Sequence, residues 1–208
     1  MENNQKRAAI RDYVRKIFQS DNTGHDFFHM QRVARTAKEI AACEKADLFI
    51  CEAGAWIHDI GDEKLFSDRK KAIWDVKDFL YSIQCTEEQV DRILEAAADV
   101  SFRKGKTPES LEGKVVQDAD RLDAIGAIGI ARTFAYGASN DQLIWHDDDG
   151  EQKNTSIQHF YDKLLNLKEM MNTDSAKQIA TERHQFMETY LRQFMLEWGS
   201  TQENEQDV

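Results

Sequence analysis

The chain has 208 residues, 41% of them hydrophobic and 31% charged, a length that supports one substantial core in a single domain. Its formal charge of −11 argues against polymeric nucleic acid as a ligand, because backbone affinity rests on clustered Lys and Arg and the 27 basic residues here are dispersed among 38 acidic ones. No window approaches the roughly 18 apolar residues of a membrane span, and the leading MENNQKRAAIRDYVRKIF lacks an export core, so no membrane association and a cytoplasmic location are expected.

One proline, Pro108, and ten glycines leave few breaks in long helical patterns. No alternating run is long enough for a strand, so the expected fold is all-α, a compact multi-helix bundle. The first helix is expected over 4–19, followed by a turn at SDNTG. A second, over 26–43, carries Phe27, Met30, Val33, Ala34, Ala37, Ile40 and Ala41 at amphipathic spacing. The third, over 46–58, spreads Leu48, Phe49, Ile50, Ala53, Trp56 and Ile57 around most of its circumference and should be buried. A fourth is expected over 68–83, and a fifth begins at Thr86, which with Gln89 makes a capping-box pattern.

Residues 101–108 read as a basic loop, whose Arg103, Lys104 and Lys106 are most simply a solvated surface. A long buried helix follows over 109–136, with a bend at Gly126 or Gly129. Residues 138–155 form a long polar connection of the kind that serves as a lid or stays disordered. The last two helices are expected over 156–171 and 174–198, with Thr173 as N-cap, Gly199 as stop and a disordered tail over 200–208. Phe186, Met187, Tyr190, Phe194 and Trp198 repeat at helical spacing and should be core. The three cysteines, Cys43, Cys51 and Cys85, read as reduced core or near-core thiols.

Polar residues inside these apolar patterns carry the chemistry. His58 and Asp59 close an otherwise apolar helix, and a buried carboxylate needs a cation, either a metal or an arginine. His29 lies beside the apolar stripe of the second helix. In KVVQDADRLDAIGAIGIARTFA, Asp120 and Asp123 are three apart and share a face, whereas Asp118 is about 200° around from Asp120 and should point to solvent or serve as a cap. Asp62 follows His58 by four residues and Asp59 by three, on the same side if the helix continues one turn; if Gly61 ends the helix, Glu63 is the alternative.

For phosphate contacts, Lys64 is nearest in sequence to the His58–Asp59 pair, Arg121 adjoins Asp120, and His25 is one turn before His29 near a helix N-terminus. His25 and His29 also have zinc-pair spacing, but the intervening residues lack the glutamate of metalloprotease chemistry. His146 with Asp147, Asp148 and Asp149 is more simply an exposed acidic loop, and packing or capping accounts for His159 and His184.

The ordered set His29, His58–Asp59 and Asp120 resembles the H…HD…D signature of the HD-domain metal-dependent phosphohydrolase superfamily. GHDFFH, HDIG, QDADRLDAIGAIGIARTFAYG and the later IQHFYDKLLNLKEMMNT are similar to bacterial stand-alone HD hydrolases of the YpgQ type, over residues 20 to 198. The resemblance implies that His29, His58, Asp59 and Asp120 ligate the metal, that Asp123 is a neighbour of the site, and that an acid at Asp62 assists catalysis. Between Asp59 and Asp120 there is no histidine, so a single ion is expected; multi-metal members of the superfamily use extra histidines there.

Mixed nitrogen and oxygen ligation suits Mn²⁺, Fe²⁺, Co²⁺ or Zn²⁺ without choosing among them; Mn²⁺ is the expected ion, with Fe²⁺, Co²⁺, Mg²⁺ or Zn²⁺ compatible. The expected activity is mononuclear hydrolysis of a small phosphorylated partner, a nucleotide and foremost a (deoxy)nucleoside triphosphate, by an activated water. A homo-oligomer is compatible with the sequence. The alternatives are a regulatory HD domain that binds a ligand without turnover, and a helical interaction protein.

Overall fold

A computed structural model describes residues 1–19, 26–62, 65–100, 105–146 and 154–199. Among these the chain is all-α, with no strand. The helices are α1 (Asn3–Phe18), α2 (Phe27–Glu44), α3 (Leu48–Ile57), α4 (Arg69–Ser82), α5 (Glu87–Ala98), α6 (Leu111–Asp123), α7 (Gly126–Ser139), α8 (Ser156–Asp162) and α9 (Asp174–Trp198), with a 3₁₀ segment at Leu164–Met170. They fall into two compact units, one of residues 1–123 and 171–178, the other of residues 124–170 and 179–208.

In the first unit α3 is the hub, packed by α1, α2, α5 and α6. Its sequence explains this position: eight of its ten residues are buried, so it needs neighbours on every side. At Gly54 a Cβ would stand 3.1 Å from Ala96 Cβ and 3.4 Å from Val116 Cγ2, so the missing side chain lets α5 and α6 close on α3. Asp47 caps the start of α3 through the Phe49 and Ile50 amides. α2 begins at Asp26, whose carboxylate takes the His29 amide at 2.7 Å, and stops at Lys45, in the left-handed region at φ 58°. The Thr86–Gln89 capping box opens α5.

Several expectations need correction. The third helix ends at Ile57, one residue before the expected end, so His58 is its C-cap and Asp59 lies in the turn that follows. The long helix over 109–136 is two helices: Ile125 is extended at φ −125° and ψ 166°, and Gly126 takes φ +75°, which a side chain would resist both by strain and by meeting Arg183 Cγ at 2.9 Å. The helix over 156–171 breaks at Lys163 into α8 and the 3₁₀ segment.

Cys51 and Cys85 are buried, and burial, the largest influence, pushes the Cys51 thiol up to about 12, but Cys43 is exposed. Of the last helix's aromatic and Met positions, Met187 is fully buried, whereas Phe186 and Trp198 are 53% and 41% exposed. Of the two expectations for Asp118, solvent and a cap, the structure shows the cap. Asp118 is fully buried and accepts hydrogen bonds from the Asn172 and Thr173 amides, Asn172 Nδ2 and Thr173 Oγ1, fixing the entry to α9. Burial pushes its carboxyl up, and those donors together with Arg121 oppose the shift. The SDNTG turn, most of the basic loop, the acid cluster after His146 and the tail lie outside the described residues.

Candidate metal centre

Three helices of the first unit bring the polar residues to one point. α2 packs on both α3 and α6, so His29 in the first turn of α2, His58 at the end of α3 and Asp120 near the end of α6 converge; Asp59 follows one residue after the α3 cap. His29 Nε2 lies 3.6 Å from Asp59 Oδ2 and 3.5 Å from Asp120 Oδ1. His58 Nε2 lies 3.4 Å from Asp59 Oδ1 and 3.6 Å from Asp120 Oδ1. Donor atoms of His29, His58 and Asp120 all fall within 4.8 Å of one another.

These separations are longer than close ion-pair hydrogen bonds. A charge-assisted N–H···O bond between imidazolium and carboxylate is about 2.7–2.9 Å long, and none of the four contacts reaches it. Donors each about 2.0–2.2 Å from a shared ion, at angles of roughly 90–110°, stand about 2.8–3.6 Å apart. His58 Nε2 is also buried with no hydrogen bond of good geometry. His29, His58 and Asp120 thus offer two imidazoles and a carboxylate that fit a divalent cation of the borderline to hard class, while Asp59 stands outside that group, meeting His29 with Oδ2 and His58 with Oδ1.

Both rings are turned the same way. His58 Nδ1 donates to the Ala55 carbonyl at 2.7 Å, and His29 Nδ1 donates to Asp123 Oδ2 at 2.8 Å. A carbonyl and a carboxylate only accept, so each Nδ1 carries a proton and each Nε2 faces the cluster. Burial pulls the His58 imidazole down, but Asp59, then Asp120 and the Ala55 carbonyl, outweigh it and push the group up to about 9. Burial would raise the Asp120 carboxyl; His58, and behind it His29, hold it low instead. The His29 and His58 side chains are each 1% exposed and that of Asp120 is 28% exposed, so the cluster opens on the Asp120 side.

The remaining sequence candidates stand as follows. Asp62 is described, but the helical continuation that would have aligned it is absent: its amide donates to the Asp59 carbonyl at 3.1 Å after a turn in which Gly61 takes φ +88°. Arg121 is buried beside Asp120; burial lowers its pKa, while Asp118 and Asp120 counteract that effect. His25, Lys64 and the alternative acid Glu63 lie outside the described residues. His184 Nε2 is 3.3 Å from Glu188, and burial, aided by Lys163, lowers the His159 pKa, in line with structural placements for both.

Sequence reading missed Arg32 and gave Asp123 no partner. Arg32 Nε and Nη2 donate to Asp123 Oδ1 and Oδ2 at 2.6 and 2.9 Å, a two-pronged pair. The signal was present: His29 and Arg32 are three apart on α2, as Asp120 and Asp123 are on α6, so two packed helices each offer two polar residues one turn apart.

A family model for the HD domain matches residues 26–125, which include every residue of this cluster. YpgQ of Bacillus subtilis is 43% identical over 188 residues, covering 88% of this chain and 89% of that protein. The crystal structure of Bacillus subtilis YpgQ in complex with ADP superposes with a TM-score of 0.78 at 41% identity, covering 94% of this chain and 97% of that one. An HD-superfamily hydrolase from Bacillus thuringiensis gives a TM-score of 0.82 at 39% identity, covering 96% and 100%. Since the similarity runs through each helix that carries the cluster, the chain belongs to the HD-domain superfamily of hydrolases.

Proposed function

We propose that the protein is a mononuclear metal-dependent phosphohydrolase acting on nucleotides, foremost (deoxy)nucleoside triphosphates, with His29, His58, Asp59 and Asp120 holding one divalent ion, Mn²⁺ in preference to Fe²⁺, Co²⁺, Mg²⁺ or Zn²⁺. The observation that carries the proposal is the aim of two buried Nε2 atoms at two carboxylates from 3.4 to 3.6 Å away. The complex of the relative YpgQ with ADP supports a nucleotide as the ligand. The ion in this site supplies the positive charge that acidifies a water and polarises a phosphoryl oxygen.

The chain's own residues do the rest. Asp120, on the open side, leaves room for a phosphate to approach. An acid that follows Asp59 in sequence, Asp62 or, with the helix ended before Gly61, Glu63, orients the attacking water and takes its proton as the oxygen adds to phosphorus and the bond to the leaving oxygen breaks. Arg121, Lys64 and His25 contribute cationic or hydrogen-bonding contacts to the phosphate chain, whose local charge they offset whatever the net charge of the protein.

Metal analysis of the purified protein, followed by a nucleotide screen with Mn²⁺ and again after chelation, tests this reading. Turnover that requires the ion is expected, and the products show whether the terminal phosphate or pyrophosphate leaves. Stoichiometric metal without turnover of any nucleotide would convert the assignment to a ligand-binding domain; a protein that takes up no metal would overturn it.

A further inference from the structure

The two histidines of the cluster are oriented by different kinds of acceptor. His58 leans on a carbonyl of its own helix, three residues back. His29 leans on Asp123, 94 positions away on α6. Asp123 is itself clamped, both oxygens being taken by the Arg32 fork and one also by the His29 ring. Arg32 is one turn beyond His29, and Asp123 one turn beyond Asp120, so α2 and α6 meet in two rungs about 4.5 Å apart along their axes. The upper rung is His29 opposite Asp120, and the lower is Arg32 opposite Asp123. The His29–Asp123 hydrogen bond ties the rungs together.

We propose that Asp123, set by Arg32, is the positioning residue that presents His29 to the metal through Nε2. The inference rests on the metal-site reading above. Asp123 meets the ring at the nitrogen turned away from the cluster, so it is placed to orient a ligand and not to be one. It is 5% exposed and His29 is 1% exposed, so water does not replace the bond. An amide at 123 would weaken the fork with Arg32 and offer the ring a donor as readily as an acceptor, leaving the tautomer unspecified. Losses of about 10–100-fold in metal affinity are typical when such an outer partner is removed.

Calorimetric titration of Mn²⁺ alone into the wild-type protein and into Asp123→Asn, with helical circular dichroism as the folding control, decides the matter. The variant should bind Mn²⁺ about 10–100-fold more weakly at unchanged stoichiometry. Arg32→Lys, which keeps the charge and loses the fork, should show a smaller fall in the same direction. In metal-free protein labelled with ¹⁵N-histidine, the His29 Nδ1 proton should give a downfield, slowly exchanging signal that moves upfield or vanishes in Asp123→Asn; a residue that merely props helices apart would leave it in place. Equal Mn²⁺ affinities, or an unmoved Nδ1 signal, would overturn the proposal. If Asp123→Asn does not fold, an unchanged affinity in Arg32→Lys does so instead. Should the wild type take up neither Mn²⁺ nor Fe²⁺, Co²⁺, Mg²⁺ or Zn²⁺, the hydrolase reading fails, and the Nδ1 signal still decides whether Asp123 fixes the ring.

Discussion

In the unit formed by residues 1–123 and 171–178, the side chains that stand out are buried and polar: His29, Asp118 and Asp123 are at most 5% exposed. In the unit formed by residues 124–170 and 179–208 the buried polar side chains are hydroxyls, Thr155 and Ser156, and those that stand out are apolar and exposed, with Ile128 at 45%, Tyr136 and Phe186 at 53% and Leu196 at 67%, although Phe28 and Trp74 of the first unit are as exposed. Each departs from simple partition, but the two departures differ in cost. A buried carboxylate without a partner costs several kcal/mol, so each one calls for a specific neighbour, and Asp118 and Asp123 each have several. An exposed phenylalanine costs little and calls for none. Buried polar residues therefore locate chemistry in this chain far better than exposed apolar ones do.

The sharpest way to break this contrast is to remove a proposed ligand. His58→Ala or Asp59→Ala should abolish both bound metal and nucleotide hydrolysis while the helical spectrum persists, measured by metal analysis, turnover and circular dichroism on one preparation. Full metal occupancy in either variant would mean that the residue changed does not hold the ion. Asp62→Ala should do something different, keeping the metal and lowering the rate about 10²–10⁴-fold, the usual worth of a positioned acid or base. An unaltered rate would transfer proton handling to Glu63 or to solvent.

How much of this was legible in the sequence follows the same division. His29, His58, Asp59 and Asp120 stood out because a charged or imidazole side chain inside an apolar helical pattern has few cheap explanations. The capping box of Thr86 and Gln89 is local and was legible from its spacing, whereas the caps at Asp26 and Asp47 were not singled out, though they lie at or beside the expected helix starts. The bend expected at Gly126 or Gly129 was legible in place but not in extent: Ile125 is extended and Gly126 takes a positive φ, so the chain breaks into two helices there, and Arg183 lies where a side chain at Gly126 would stand. Arg32 was missed because an arginine on an amphipathic helix normally faces solvent; only the packing of α2 against α6 shows that Asp123 waits for it. Phe186 and Trp198 were over-read as core because helical spacing marks a stripe, and α9 has more apolar residues than it buries.

The site also predicts a pH dependence. His58 is held up to about 9, so at neutral pH the metal-free protein carries its proton, and an ion must displace it. Apparent Mn²⁺ affinity should therefore rise with pH, by about tenfold per unit for one proton, and level off above about pH 9. In the metal-free protein the same raised value stabilises the fold below the ordinary histidine range, and that contribution is lost as pH rises through about 9. Calorimetry at pH 7 in two buffers of unlike ionisation heat reads the proton released; binding with no release would show that His58 is already neutral and that the charges around it balance differently.

The smallest effect tests the other side of the comparison. Met187 and Phe186 are adjacent on α9, one fully buried and the other 53% exposed. Met187→Ala should cost about 2–5 kcal/mol, the range for emptying a packed core position, whereas Phe186→Ser should change stability by less than about 0.5 kcal/mol, as surface substitutions do. Chemical denaturation of both variants measures the difference. If Phe186→Ser cost as much as Met187→Ala, the ring would have to be covered in solution, and the exposed apolar side chains of this unit would need the same search for a neighbour that the buried acids required.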